Sequence, residues 1–125
     1  MHIQFAELPV FDQDRARQFY CDAFGCRVAA DSPMGGDGWR WIELGLPGAR
    51  TNLHFVRGGN HQPTDEPVLV LVAEDVAESI AALRSRGVTI ITEPHEPDWE
   101  PGRTVAEFRD SEGNRMILSS ASAQP

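Results

Sequence analysis

"LPVFDQDRARQFYCDAFG", residues 8–25, and "VLVAEDVAESIAALRSRG", residues 70–87, are one device written twice, about 62 residues apart. Each runs from the end of an apolar strand through an Asp into an amphipathic helix and stops at a Gly. In the first copy Ala16, Phe19, Tyr20, Ala23 and Phe24 fall at helical spacing on one face, and the charges fall on the other. Asp12 or Asp14 can cap the start, and Gly25 supplies a left-handed stop. In the second copy Asp75 caps, Val76, Ile80 and Leu83 share a face, and Gly87 ends the helix. The shift lays Leu8 on Val70, Val10 on Val72, Gly25 on Gly87 and Val28 on Ile90. Identity is low, but the order of elements recurs.

Strands flank both helices. Residues 3–10 form a weakly alternating strand, and residues 27–31, 39–46 and 51–56 follow the first helix. The second copy opens on residues 68–72, a strand with both faces apolar. Residues 88–92 and 104–109 come next, and the turn "DSEGN" (110–114) feeds a last strand, "RMILSS". The predicted architecture is α+β: tandem βαβββ modules within one domain, residues 1–125. The pseudo-repeats are 1–57 and 67–120, with a polar, breaker-rich linker at 58–66.

A chain of 125 residues can bury roughly two thirds of its unfolded surface, enough for one real core. Its formal net charge of −8 argues against nucleic acid and anionic membranes as partners. Cys21 and Cys26 match neither a redox nor a zinc spacing and are expected to be reduced thiols. The first residues lack the basic flank and apolar run of a secretory signal, and no apolar stretch reaches membrane-spanning length. A cytoplasmic location is expected.

"LPVFDQDRARQFYCDAFG", "EDVAESIAALRSRGV" and "FRDSEGN" together resemble the vicinal-oxygen-chelate superfamily, which includes glyoxalase I, extradiol dioxygenases and bleomycin-resistance proteins. The resemblance implies two βαβββ modules contributing to a cupped sheet that encloses a ligand cavity, and commonly a homodimer. It also implies four metal-ligand positions, one on each of four inward strands, usually His or Glu. Carried over one at a time, they fall on Phe5, His54, Val68 and Ile117. Three of these cannot coordinate a metal, whereas a catalytic zinc wants about three protein ligands and an open position. No metal cofactor is therefore expected.

The period of two along a strand extends the inward set. With Phe5 go Ile3 and Glu7, and with His54 go Asn52 and Val56. Trp39, Trp41 and Glu43 share the cavity side of the third strand, and Val105, Glu107 and Arg109 that of the seventh. Aromatic walls with a few polar groups are the usual make-up of a small-molecule pocket. The ligand-binding candidates are Phe5, Trp39, Trp41, Asn52, His54, Glu107 and Arg109. Each has a plainer reading. His54 can be an ordinary hydrogen-bonded strand histidine, and Glu7 a solvated rim carboxylate. Glu43, Glu107 and Arg109 can form cross-strand charge pairs, and the tryptophans can line a dimer interface. Trp99, in "EPDWEPG", can be a lid or a loop anchor.

Three functions compete. The first is a metal-free binder that clamps a small planar or aromatic molecule. The second is a glyoxalase-like lyase or isomerase, or a dioxygenase. It would depend on a metal, even one displaced onto Glu7, His54 and Glu107, or would use His54 with Glu7 or Glu43 as acid and base. The third is an interaction module whose hollow is filled by its own side chains.

Overall fold

The computed structural model describes residues 1–59 and 65–122. The chain divides into two compact units, Met1–Gln62 and Pro63–Pro125. Residues 60–64 of the expected linker lie outside the described residues.

The first unit holds β1 (Phe5–Val10), α1 (Gln13–Phe24), β2 (Arg27–Pro33), β3 (Arg40–Gly45) and β4 (Asn52–Arg57). Its sheet runs β1-β4-β3-β2, with β1 parallel to β4 and the other pairs antiparallel. The second unit repeats this with β5 (Leu69–Val72), α2 (Val76–Ser85), β6 (Ile90–His95), β7 (Val105–Arg109) and β8 (Arg115–Ser119), in the order β5-β8-β7-β6. Two four-stranded mixed sheets, each with one helix, make the α+β fold that the doubled pattern predicts.

The helix ends form as the side chains dictate. Asp12 accepts the N–H of Arg15 at 3.0 Å, and Asp75 accepts that of Glu78 at 2.9 Å. Each bond satisfies a first-turn donor that has no partner within the helix. Past α2, Val88 N–H reaches Leu83 O at 3.1 Å and Gly87 N–H reaches Arg84 O at 3.0 Å. That six-to-one and five-to-two pairing requires a left-handed residue, and Gly87 has φ 83°.

Alternation then decides the faces. In the first unit Leu8, Val10, Ile42, Leu44, Leu53 and Phe55 are buried with Ala16 and Tyr20 of α1. Tyr20 stacks on Phe24 at 5.7 Å and meets Phe55 at 6.5 Å. Full burial of each such side chain contributes about 1.5–3 kcal/mol. Gln13 adds a polar tie: its amide donates to Arg40 O (2.7 Å) and accepts from Arg40 N–H (2.9 Å), fixing where β3 starts beside the helix. In the second unit Val76, Ile80 and Leu83 share the core with Ala106, Phe108, Met116 and Leu118.

The "DSEGN" turn is a closed polar unit. Asp110 Oδ1 accepts the N–H groups of Glu112 and Asn114, both at 2.9 Å, and its Oδ2 accepts the Asn114 amide at 3.0 Å. All three side chains are buried, and Gly113 takes φ 83° at the corner.

Some expectations shift. The first strand begins at Phe5, leaving Ile3 outside it and 70% exposed. The strand expected at 27–31 runs on to Pro33, because pairing with β3 continues past a bulge between Val28 and Ala30. The strand expected at 88–92 instead spans Ile90–His95. The apolar run 68–72 is not covered on both faces. Val70 and Val72 are 53% and 65% exposed, since α2 packs on one side of the sheet only. Both cysteines are free; burial and the neighbouring Cys21 raise the Cys26 thiol to about 11.

Candidate ligand-binding site

Register brings Glu7, His54 and Glu43 into one row across the first sheet, with Glu7 opposite His54 on β1 and Glu43 opposite it on β3. Phe5 and Trp41 lie on the same face by alternation. The His54 ring packs against both: 3.9 Å from Trp41 and 5.4 Å from Phe5, centroid to centroid. Phe5 and Trp41 meet edge-on at 5.8 Å. His54 is thereby buried, 8% exposed, while Glu7 stays exposed with a carboxylate oxygen 3.5 Å from His54 Nδ1.

Among the described residues no cation pairs with Glu43. Its Oε1 accepts the Trp41 indole N–H at 2.7 Å and its Oε2 accepts the Asn52 amide at 3.3 Å. The carboxylate fixes the indole plane on the sheet face and leaves no oxygen without a donor. As a general base it is less accessible than the sequence suggests, whereas Glu7 retains a solvated carboxylate beside His54.

A hollow of about 670 Å³ opens over this face, bounded by the β2–β3 loop (Met34, Gly35, Gly36, Asp37), Trp39, Trp41, His54 and Arg57. Arg57 was not among the sequence candidates, since it falls next to a breaker-rich stretch. In the structure it ends β4, carries its guanidinium over the Trp39 ring at 4.7 Å, and pairs with Asp37.

The second unit treats its candidates differently. Glu107 accepts from Arg115 through both oxygens, at 2.7 and 3.0 Å, and from Thr92 Oγ1 at 3.0 Å. Hydrogen bonding to Arg115 is the main cause holding its carboxyl below the ordinary range. Arg109 donates to Asp65 at 2.6 Å and to Gly113 O at 3.2 Å. Arg115 and Asp65, the partners that occupy these two residues, are not apparent from strand alternation. Ile117 and Val70 line a smaller hollow of about 250 Å³ beside Trp99, which is 69% exposed with Arg103 5.4 Å from its ring.

A family model described as the Glyoxalase/Bleomycin resistance protein/Dioxygenase superfamily matches residues 2–118. The chain belongs to this superfamily. YetH of Bacillus subtilis (strain 168), an uncharacterized protein, is 30% identical over 114 residues, covering 87% of this chain and 89% of its own. TnmS3, an antibiotic binding protein from Streptomyces sp. CB03234, is 32% identical with a TM-score of 0.78, over 98% of this chain and 97% of its own. A superfamily member from Sphaerobacter thermophilus DSM 20745 is 24% identical with a TM-score of 0.83, over 97% and 98% of the two chains, and bears on the fold alone.

Within the superfamily, the metal-ligand positions inferred for this chain are Phe5, His54, Val68 and Ile117. Phe5 stands on the sheet face beside His54, and Ile117 faces the hollow of its own unit. Val68 lies two residues before Val70, on the same side by alternation. One imidazole with three hydrocarbon side chains does not fit a divalent ion that wants three or four donors. Among the described residues no group of three or more His, Cys, Asp or Glu side chains is placed to hold a metal ion. No helix among the described residues is long and apolar enough to cross a membrane.

Proposed function

We propose that this chain binds a small planar or aromatic molecule without a metal, on the sheet face that carries Phe5, Trp41 and His54. The carrying observation is the Trp41 indole held by the Glu43 carboxylate, beside His54 and Phe5 and under a hollow of about 670 Å³. A flat surface whose largest ring is fixed in advance loses little rotamer freedom when a second ring stacks on it. The volume lies within the range of small-molecule sites, roughly 300–1,000 Å³. Similarity to TnmS3 supports a binding role, and the hydrocarbon side chains at three ligand positions support one that needs no ion.

Titration with a panel of planar polycyclic compounds, read by tryptophan fluorescence and thermal shift, tests this. Saturable quenching with stabilisation is expected, weakened at least tenfold in Trp41→Ala. A panel in which nothing binds removes the proposal.

A second reading rests on the 3.5 Å approach of Glu7 to His54 Nδ1. A carboxylate on one imidazole nitrogen orients the other toward a reacting group, the arrangement of an acid–base pair. Turnover of a bound compound that disappears in both His54→Gln and Glu7→Gln would favour this reading over simple binding.

A further inference from the structure

The hollow over the aromatic face contains a cation whose neighbours make it available. The chain has no lysine, so all 11 of its basic side chains are arginines. Most of those with a described carboxylate partner are tied into sheet or helix surfaces, as Arg40 is to Asp31 and Asp14, and Arg115 to Glu107. Arg57 is placed otherwise. Its guanidinium lies 4.7 Å over the Trp39 ring, at the wall of the hollow, and its side chain remains 57% exposed.

Its partner, Asp37, sits on the β2–β3 loop between Gly36 and Gly38 and is 63% exposed. Asp37 divides its two oxygens: Oδ1 accepts the Trp39 N–H at 3.1 Å, and Oδ2 pairs with Arg57. The loop is therefore anchored by one oxygen whether or not the other holds the guanidinium. A stacked guanidinium keeps its edge donors in a planar fork, and a carboxylate meets that fork with two parallel hydrogen bonds. Asp37 Oδ2 takes one donor of that fork, so a ligand carboxylate that engages two would compete with it.

We propose that Arg57 is the specificity-determining residue of this site and that its ligands are planar aromatic acids. The ring system would lie on Trp41 and His54, and the carboxylate would replace Asp37 on the Arg57 fork. This rests on the proposed binding of planar molecules and names their class. Stacking alone accepts any flat ring, so the acid preference comes from Arg57. Asp37 lowers affinity by competing, because the ligand must displace an ion pair already made.

The test compares anthracene-2-carboxylate with its neutral amide, anthracene-2-carboxamide, by fluorescence titration at pH 7.5. The two share the ring and differ in charge. The acid is expected to bind about fivefold more tightly, the upper range for a partly exposed ion pair. Arg57→Gln should abolish that preference by weakening the acid about fivefold more than the amide. Asp37→Asn should increase it, since the amide still accepts the Trp39 N–H but competes less for the guanidinium. Raising the salt should shrink the preference and leave amide binding unchanged. Equal affinity for acid and amide, or a preference that survives Arg57→Gln, overturns the assignment of Arg57 and leaves the planar-binding proposal standing. If neither compound binds, both fall.

Discussion

Replacing Glu43 by Leu removes the acceptor that holds Trp41. The structure shows what is lost: a charge-assisted bond of 2.7 Å from the indole N–H and a longer one of 3.3 Å from Asn52. Hydrogen bonds to charged groups contribute about 1.5–3 kcal/mol net, and the partial exposure of the site brings the expected loss to about 1–2 kcal/mol. In a domain of this size that is a fall in Tm of roughly 3–10 °C. The effect on binding has a separate origin. An indole free to leave its plane must be ordered again when a ligand stacks, costing about 0.5–1.5 kcal/mol, or a twofold to tenfold loss of affinity. Glu43→Gln keeps one acceptor for the indole and should fall between wild type and Leu on both measures. Urea denaturation followed by far-ultraviolet circular dichroism gives the stability, and quenching titrations give the affinity. Unchanged stability together with unchanged affinity in Glu43→Leu would refute the claim that this carboxylate sets the ring.

Two further predictions concern stability. Asp110→Ala strips acceptors from the buried N–H groups of Glu112 and Asn114 and should cost about 2–4 kcal/mol, measured by urea denaturation, because each orphaned buried donor carries roughly 1–3 kcal/mol. The acid limb of stability should be carried in part by Asp31 and Glu107, both held below the ordinary carboxylate range, chiefly by hydrogen bonds from Arg40 and Arg115. A depressed carboxyl contributes stability that is fully present above its unfolded value and is lost as pH falls through its folded value. Stability should therefore hold down to about pH 4.5 and decline below it, with a shallower decline in Asp31→Asn and Glu107→Gln; equal slopes in all three proteins would contradict this.

Much of the fold is legible because it is periodic. The Asp caps, the glycine stops and the alternation on either side repeat in both halves, and repetition lets each half corroborate the other. The same period of two correctly puts Phe5, Trp41, Asn52 and His54 on one face, since facing is a property of backbone register. What it does not encode is where the end of a long side chain goes. Glu43 turns along its own strand to Trp41 Nε1, Arg57 reaches Trp39 and Asp37, and Arg115 reaches diagonally to Glu107. These depend on rotamers and on neighbours brought in by register. Val70 and Val72 show a related gap: an apolar run reports a preference for burial, not the presence of something on both sides.

The proposed function puts a flat ligand on the aromatic face of the first unit and needs no ion to hold it. Isothermal titration of chelator-treated protein with a planar aromatic acid, paired with metal analysis of the same untreated sample, tests it most directly. One saturable event per chain, undiminished after chelation, with substoichiometric metal before it, is the predicted result. Stoichiometric zinc, nickel, manganese or iron, with binding that vanishes on its removal, would contradict it.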